Sequence, residues 1–448
     1  MIEYDFKKLE IADIVNNIII YAVSKKASDI HFDPSEKGLR VRLRIDGLLQ
    51  DHAIVPEAYQ RNLITRIKLI SNMNITESRL PQDGAIKGNI NGINLDMRVS
   101  SLTTNLGEKI VIRILDYTQS ANGLESLGFS ENNLEKIKKM ISVPNGIILI
   151  TGATGSGKST TVYTMLQTLN TPDTNIITVE DPIEMNIEGI NQVQVNSDIG
   201  LTFGRVLRSI LRQDPNIILI GEIRDTETAQ IAVRASITGH LVFSTIHTNN
   251  SLTTIERLMD MNVERYLLSS ALTGIVSQKL ARRLCPHCKE LRETTSYEKE
   301  TFKRALGKDV PEIYDAKGCE HCINGYTGRI AIQEVLLIDD FLRDAINNED
   351  LARDDLRELV YTKDVTTLLQ DGLEKVLEGY TSFEEIYKLI EIDDELDNRY
   401  DEESFKNEEI FNPLPSNNNT NIVQEPFMEE ETEYNNQNTE VLDLGSLK

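Results

Sequence analysis

The sequence predicts an α/β protein, with a central parallel sheet wrapped by helices, a smaller α+β unit before it and helices after it. Three observations carry this reading. From Gly146 onward the chain lays down short continuous apolar runs at residues 147–150, 176–179, 217–220 and 241–243, each followed by a helical stretch. Such runs suit strands buried on both faces. A glycine-rich turn joins the first run to its helix, and upstream of it apolar and polar residues alternate, as in a sheet with one wet face.

In chain order, residues 9–23 place Ile11, Ile14, Val15, Ile18, Ala22 and Val23 at helical spacing. Leu39, Val41, Leu43 and Ile45 then alternate with Arg40, Arg42 and Arg44 before the turn pair Asp46-Gly47. The same alternation returns in Ile93, Leu95, Met97 and Val99, and in Ile110, Ile112 and Ile114, so residues 1–119 are expected to form the α+β unit. The α/β core is expected over 120–281, a cysteine-bearing module over 282–335 and a helical region over 336–395. Helix is expected from Cys322 on, with Leu351, Leu356, Leu359, Val360, Leu368, Leu369, Leu373 and Val376 as its apolar positions. Residues 396–448, rich in Asn and Glu, are expected to be a disordered tail because they lack the apolar surface to offset ordering entropy.

A chain of 448 residues is long enough for two or three domains. Its net charge of -24 is uneven, since residues 391–448 hold 17 acidic against 3 basic residues. The remaining 54 acidic and 44 basic residues make a mildly acidic body, which argues against direct nucleic-acid binding. The charged opening resembles no signal peptide and Ile18-Ile19-Ile20 is too short to span a bilayer, so a cytosolic protein is expected.

Residues Gly152, Ala153, Thr154, Gly155, Ser156, Gly157, Lys158 and Ser159, followed by Thr160, fit the phosphate-loop pattern GxxxxGK[ST] between a strand and a helix. Glycines let the loop N–H groups converge on a phosphate, Lys158 adds a point charge, and Ser159 is a candidate Mg²⁺ ligand. Two strands end in carboxylates, Glu180-Asp181 and Glu222, and His247 closes a third. Ligands bind at such carboxyl ends in parallel sheets, although each acid alone reads equally well as a helix cap. Cys285-Pro-His-Cys288 and Cys319-Glu-His-Cys322 form a CxxC pair of knuckles, a four-thiolate set suited to structural Zn²⁺. His287 and His321 lie inside the knuckles as alternative ligands.

Four stretches together make the chain recognisable: the phosphate loop, Thr178-Val-Glu-Asp-Pro182, Leu211-Arg-Gln-Asp-Pro215 through Gly221-Glu-Ile-Arg-Asp225, and Thr238-Gly-His-Leu through Ser244-Thr-Ile-His-Thr-Asn249. In that order and spacing they resemble the Walker A, Asp box, Walker B and His box of the ATPases of type IV pilus assembly and type II secretion. Ala27-Ser-Asp-Ile-His-Phe32, Arg42-Leu-Arg-Ile-Asp-Gly47 and Asp96-Met-Arg-Val-Ser100 resemble that family as well. The resemblance implies a RecA-like core, a PAS-like N-terminal domain, and a homo-hexameric ATP- and Mg²⁺-dependent motor. That motor would work at the cytoplasmic face of the membrane on an inner-membrane platform protein. It further implies Glu180 as the carboxylate that orients or deprotonates the attacking water, Glu222 as the Mg²⁺ holder, His247 near the γ-phosphate, and Arg98 and Arg113 as arginines brought to the phosphate. The four-cysteine module is typical of the assembly type, which implies extension rather than retraction. A DNA-uptake or conjugation-type traffic ATPase is the alternative reading. Longer family members carry a further N-terminal module that docks on a membrane partner or binds a regulatory nucleotide, whereas this sequence begins almost at the first matching helix, so the resemblance does not say how this chain docks.

Overall fold

In the computed structural model, residues 2–390 are described except 3, 7, 91–92, 116–122 and 362–363. The tail expected over 396–448 lies outside the described residues.

The first half is built on alternation. Helix α1 (Ile11–Ser24) precedes strands β1 (Asp29–Ser35), β2 (Gly38–Ile45) and β3 (Leu48–Val55). Helix α2 (Glu57–Ile70) then leads to β4 (Gln82–Ile90), β5 (Ile93–Thr104) and β6 (Gly107–Leu115). The strands form one antiparallel sheet in the order β3-β2-β1-β6-β5-β4. Period-2 alternation sends Ile30, Phe32, Leu39, Val41, Met97, Val99, Ile110 and Ile112 to one face. There they pack with Ile14, Ile18, Leu63 and Ile67 of the two helices. The opposite face is charged. Asp33 takes Arg42 at 2.7 Å and also Lys109, while Asp29 lies between Arg44 at 3.5 Å and Arg113 at 3.1 Å.

Helix α3 (Glu131–Ile141), capped by the Ser130 side chain, opens the second half. It is followed by β7 (Gly146–Thr151), α4 (Lys158–Leu169), β8 (Ile176–Glu180), β9 (Asn191–Gln194), α5 (Phe203–Ile210), β10 (Ile217–Ile220), α6 (Thr226–Ile237) and β11 (Leu241–Ile246). Helices α7 (Ser251–Asp260) and α8 (Arg265–Ala271) come next, and then the long strand β12 (Leu272–Leu284). The cysteine segment holds β13 (Glu290–Glu293), α9 (Ser296–Leu306) and β14 (Glu312–Asp315) before the chain returns through β15 (Tyr326–Leu337). Helices α10 (Asp340–Asn347), α11 (Arg353–Val360), α12 (Leu368–Leu377) and α13 (Phe383–Leu389) complete the described chain.

Seven strands make the second sheet, β15-β12-β7-β11-β10-β8-β9, parallel throughout except for the β12–β15 pair. Along β7, Ile147 and Leu149 point into one core with α5, α6 and α7, whereas Ile148 and Ile150 point into another with α3 and α4. Burial on both faces is the reason these strands read as unbroken apolar runs. One expectation is corrected. The chain is not helical directly after Cys322, because residues 326–337 form a strand paired with β12 along nearly its whole length. The stretch 330–338, apolar but for Gln333 and Glu334, has no periodicity that separates a buried strand from a buried helix, and pairing across the sheet decides it.

Candidate nucleotide and metal sites

The parallel strands point their carboxyl ends to one edge, and the candidate residues gather there. The loop after β7 turns through Gly152, Gly155 and Gly157 with φ of 143°, 82° and 89°. Such left-handed values come freely only to glycine. Lys158 opens α4 and is 8% exposed, its Nζ donating to the Gly152 and Ala153 carbonyls at 2.8 and 2.9 Å. Burial pulls its pKa below the ordinary lysine value, and the negative charges of Glu222 and Glu184 pull the other way.

Glu222 follows β10 and pairs with His247 at 3.2 Å, Nε2 to Oε2, and with Arg224. The helix-cap alternative falls to a neighbour, since Asp225 accepts the Thr228 N–H at 2.8 Å to cap α6. Glu180 is 4% exposed at the end of β8. Its carboxylate accepts from the Tyr163 hydroxyl, from Thr178 Oγ1 at 2.6 Å and from Gln192 Nε2 at 3.1 Å. Burial and then the Glu180 charge push the Tyr163 phenol far above its usual value, so it stays a proton donor.

Lys158, Ser159, Thr160, Glu180, Glu222 and His247 all line one cleft of about 2360 Å³, and so does Arg113 from the antiparallel sheet. Arg98 lies directly across the strand pair from Arg113. It is not among the residues lining the cleft, and its Nη2 instead donates to the Ile183 carbonyl at 2.6 Å, on the loop that follows Glu180-Asp181. The charge pattern of strands β5 and β6 thus meets the phosphate-loop edge from outside.

Cys285, Cys288, Cys319 and Cys322 come together with all four sulfurs within 4.8 Å. Three sulfur pairs measure 3.9, 3.6 and 3.6 Å. A tetrahedral ion at about 2.3 Å from each thiolate requires edges of about 3.8 Å, so the set fits Zn²⁺. His287 and His321 lie beside the cluster with ring centroids 4.9 Å apart and planes tilted by 49°, and are not part of it.

Residue spacing did not mark Tyr163, Gln192 or Gln278, which hold Glu180 and the phosphate loop. Their partners lie 12 to 122 positions away in sequence, and only folding reveals them. Among the described residues no helix is long and apolar enough to cross a membrane.

Comparison with known proteins gives a consistent picture. The family described as "Type II/IV secretion system protein" matches residues 6–388. The type II secretion system ATPase E of Vibrio cholerae serotype O1 is 44% identical over 380 residues, 85% of this chain and 75% of that protein. The type IV pilus assembly ATPase PilB of Thermus thermophilus is 46% identical over 378 residues, 83% of this chain and 42% of that one. Among solved structures, the pilus retraction motor PilT with bound ADP aligns with a TM-score of 0.61 at 26% identity, over 87% of this chain and 99% of that one.

Proposed function

This chain belongs to the type II/IV secretion system protein family and is an ATP-hydrolysing enzyme; from that premise we propose that it is a hexameric motor driving extension of a type IV pilus or a secretion pseudopilus. The observation that carries the reading is that Lys158 at the start of α4, Glu222 and His247 just after β10 and β11, and Arg113 on β6 of the other sheet all line one cleft. Phosphoryl transfer asks a protein mainly for position and for charge opposite the phosphates.

In this reading Lys158 leaves the Gly152 and Ala153 carbonyls for phosphate oxygens, and Ser159 and Glu222 are the residues that would hold Mg²⁺. The ion supplies charge neutralisation at the phosphates when bound. His247 is kept in place by Glu222. Glu180, held by three donors, orients the attacking water through whichever lone pair it frees. Arg98 and Arg113 answer the charge that develops on the phosphoryl group, with Arg98 also fixing the loop behind Glu180. The four cysteines hold one Zn²⁺ per chain, and that module supports extension over retraction. Partners would be five further copies of the chain and an inner-membrane platform protein met at the cytoplasmic face.

Phosphate release by the wild type and by Lys158→Ala tests the reading. Turnover in the first and its loss in a folded second are expected. Equal rates would remove the phosphate-loop assignment, and strong stimulation by nucleic acid would move the function to a DNA-traffic motor.

A further inference from the structure

We propose that Gln278 is a positioning residue of the nucleotide site, setting the Ser156 peptide and the first turn of α4 so that the loop N–H groups converge on phosphate. The inference rests on the nucleotide-binding reading above and adds to it a residue from outside every motif.

Gln278 lies in β12, 3% exposed, beneath the loop. Its Nε2 donates to the Ser156 carbonyl at 2.6 Å and its Oε1 accepts from Thr161 Oγ1 at 2.8 Å. A carbonyl only accepts, so the orientation of this amide follows from its partners. The loop is also moulded against it. A Cβ on Gly152 would come within 2.3 Å of the Gln278 carbonyl oxygen, and a Cβ on Gly157 within 2.6 Å of Nε2. The first contact is with the strand backbone and the second with the amide itself, so Gly157 is where the loop lies directly on the Gln278 side chain.

Gln278 is supported in turn. Across the β12–β15 register it faces Gln333, whose Nε2 is 3.5 Å from its Oε1. The Gln333 N–H donates to Asp371 Oδ2 at 2.7 Å, and Lys375 holds the same oxygen at 2.6 Å. Thr161, Gln278, Gln333, Asp371 and Lys375 are all buried. Burying polar groups costs free energy even when they are paired, and apolar residues fill neighbouring positions of these strands, Val276, Ala281, Ile332 and Val335. A sheet that accepts apolar packing so readily has no need of a glutamine pair for stability. What the amide does is polar: it takes the Ser156 carbonyl out of the phosphate site, while Lys158 takes those of Gly152 and Ala153. If the Ser156 peptide turned over, its oxygen would face an incoming phosphate.

Gln278→Met keeps the volume and removes both hydrogen bonds. Measured on the full chain with Mg²⁺, the Kd for ADP and the KM for ATP are expected to rise at least tenfold, about 1.4 kcal/mol. The fall in kcat should be smaller, because the loop binds ground state and transition state alike. Because Gln278→Met leaves the Ser156 carbonyl and the Thr161 hydroxyl unpaired, the melting temperature without nucleotide should fall by a few degrees; the weaker binding must persist well below that temperature, where the variant is folded, a result that a purely structural role would not give. Combined with Thr161→Val, the losses should be less than additive, since one hydrogen bond is removed twice. Should Gln278→Met fail to fold, Thr161→Val alone is expected to raise the Kd for ADP about threefold or more, within the worth of one buried hydrogen bond. Binding within twofold of wild type in a folded Gln278→Met, or in Thr161→Val when the first is unfolded, overturns the proposal. Lys158→Ala separates the two readings: loss of hydrolysis there with normal Gln278→Met defeats only this inference, whereas normal hydrolysis in Lys158→Ala defeats the nucleotide site itself.

Discussion

Lys158 holds its ammonium on two carbonyls of its own loop, a placement that keeps a buried charge paired until a phosphate replaces them. Lys158→Ala should leave the fold intact and lower turnover by about 10²–10³, the typical loss on removing one preorganised charge or donor. Glu222 and Glu180 differ in how they are held. Glu222 pairs with Arg224 and the half-exposed His247, while Glu180 is enclosed by Tyr163, Thr178 and Gln192. Glu222→Gln is expected to bind nucleotide and scarcely hydrolyse it, as read by filter binding beside phosphate release. Fast hydrolysis there, with a dead Glu180→Gln, would hand the metal and water roles to the β8 terminus. Lys158, Glu180, Glu222 and His247 were readable as candidates because each sits inside a contiguous motif, the first where a helix opens after a strand and the others at strand ends. Gln278 and Tyr163 were not, because a buried polar partner contributed by another strand or helix leaves no periodic mark on its own segment.

Elements placed late in the chain show how sheet pairing joins what the sequence separates. β12 and β15 belong to the core sheet and carry the cysteine segment between them, so the module expected over 282–335 shares both its ends with that sheet. Removing zinc should therefore loosen residues 285–325 while the sheet persists. Hydrogen exchange before and after chelation, with metal analysis for one Zn²⁺ per chain, checks this; protein isolated without chelator that holds no zinc would refute it. Helix α13 is pinned to β12 by Glu385, which accepts Arg282 Nη2 at 2.6 Å and Nε at 2.9 Å. Burial alone would raise the Glu385 pKa, but the Arg282 hydrogen bonds outweigh it and hold the carboxyl below its ordinary value. A lowered folded pKa means this contribution is complete above the unfolded carboxylate value, about 4.3, and is lost as pH falls through the folded one. Glu385→Ala should cost about 3–5 kcal/mol at neutral pH, by denaturant titration, and less in acid, because it leaves Arg282 without its partner. The alternating strands and α1 were readable from period alone. β15 was not, since a stretch without clear period, with Gln333 and Glu334 between apolar residues, is settled by its neighbour in the sheet.

At the scale of the whole molecule, an antiparallel sheet with one charged face lies against the carboxyl edge of a parallel sheet that carries the phosphate loop. Arg113 reaches that shared cleft, and Arg98 reaches the loop behind Glu180. The function proposed here turns on those two arginines and on a ring that brings sheet and loop together as nucleotide binds and leaves. Arginines of this kind are worth about 10³–10⁵ in turnover in other phosphate-loop enzymes. The most direct test is ATP hydrolysis per chain across a range of protein concentrations, with light scattering on the same samples, for the wild type, Arg98→Ala and Arg113→Ala. Wild-type activity is expected to rise as a hexamer forms, and each arginine variant to form the ring and bind ATP while turning over far more slowly. Full activity in a strict monomer, or wild-type rates in both variants, would contradict the proposed function.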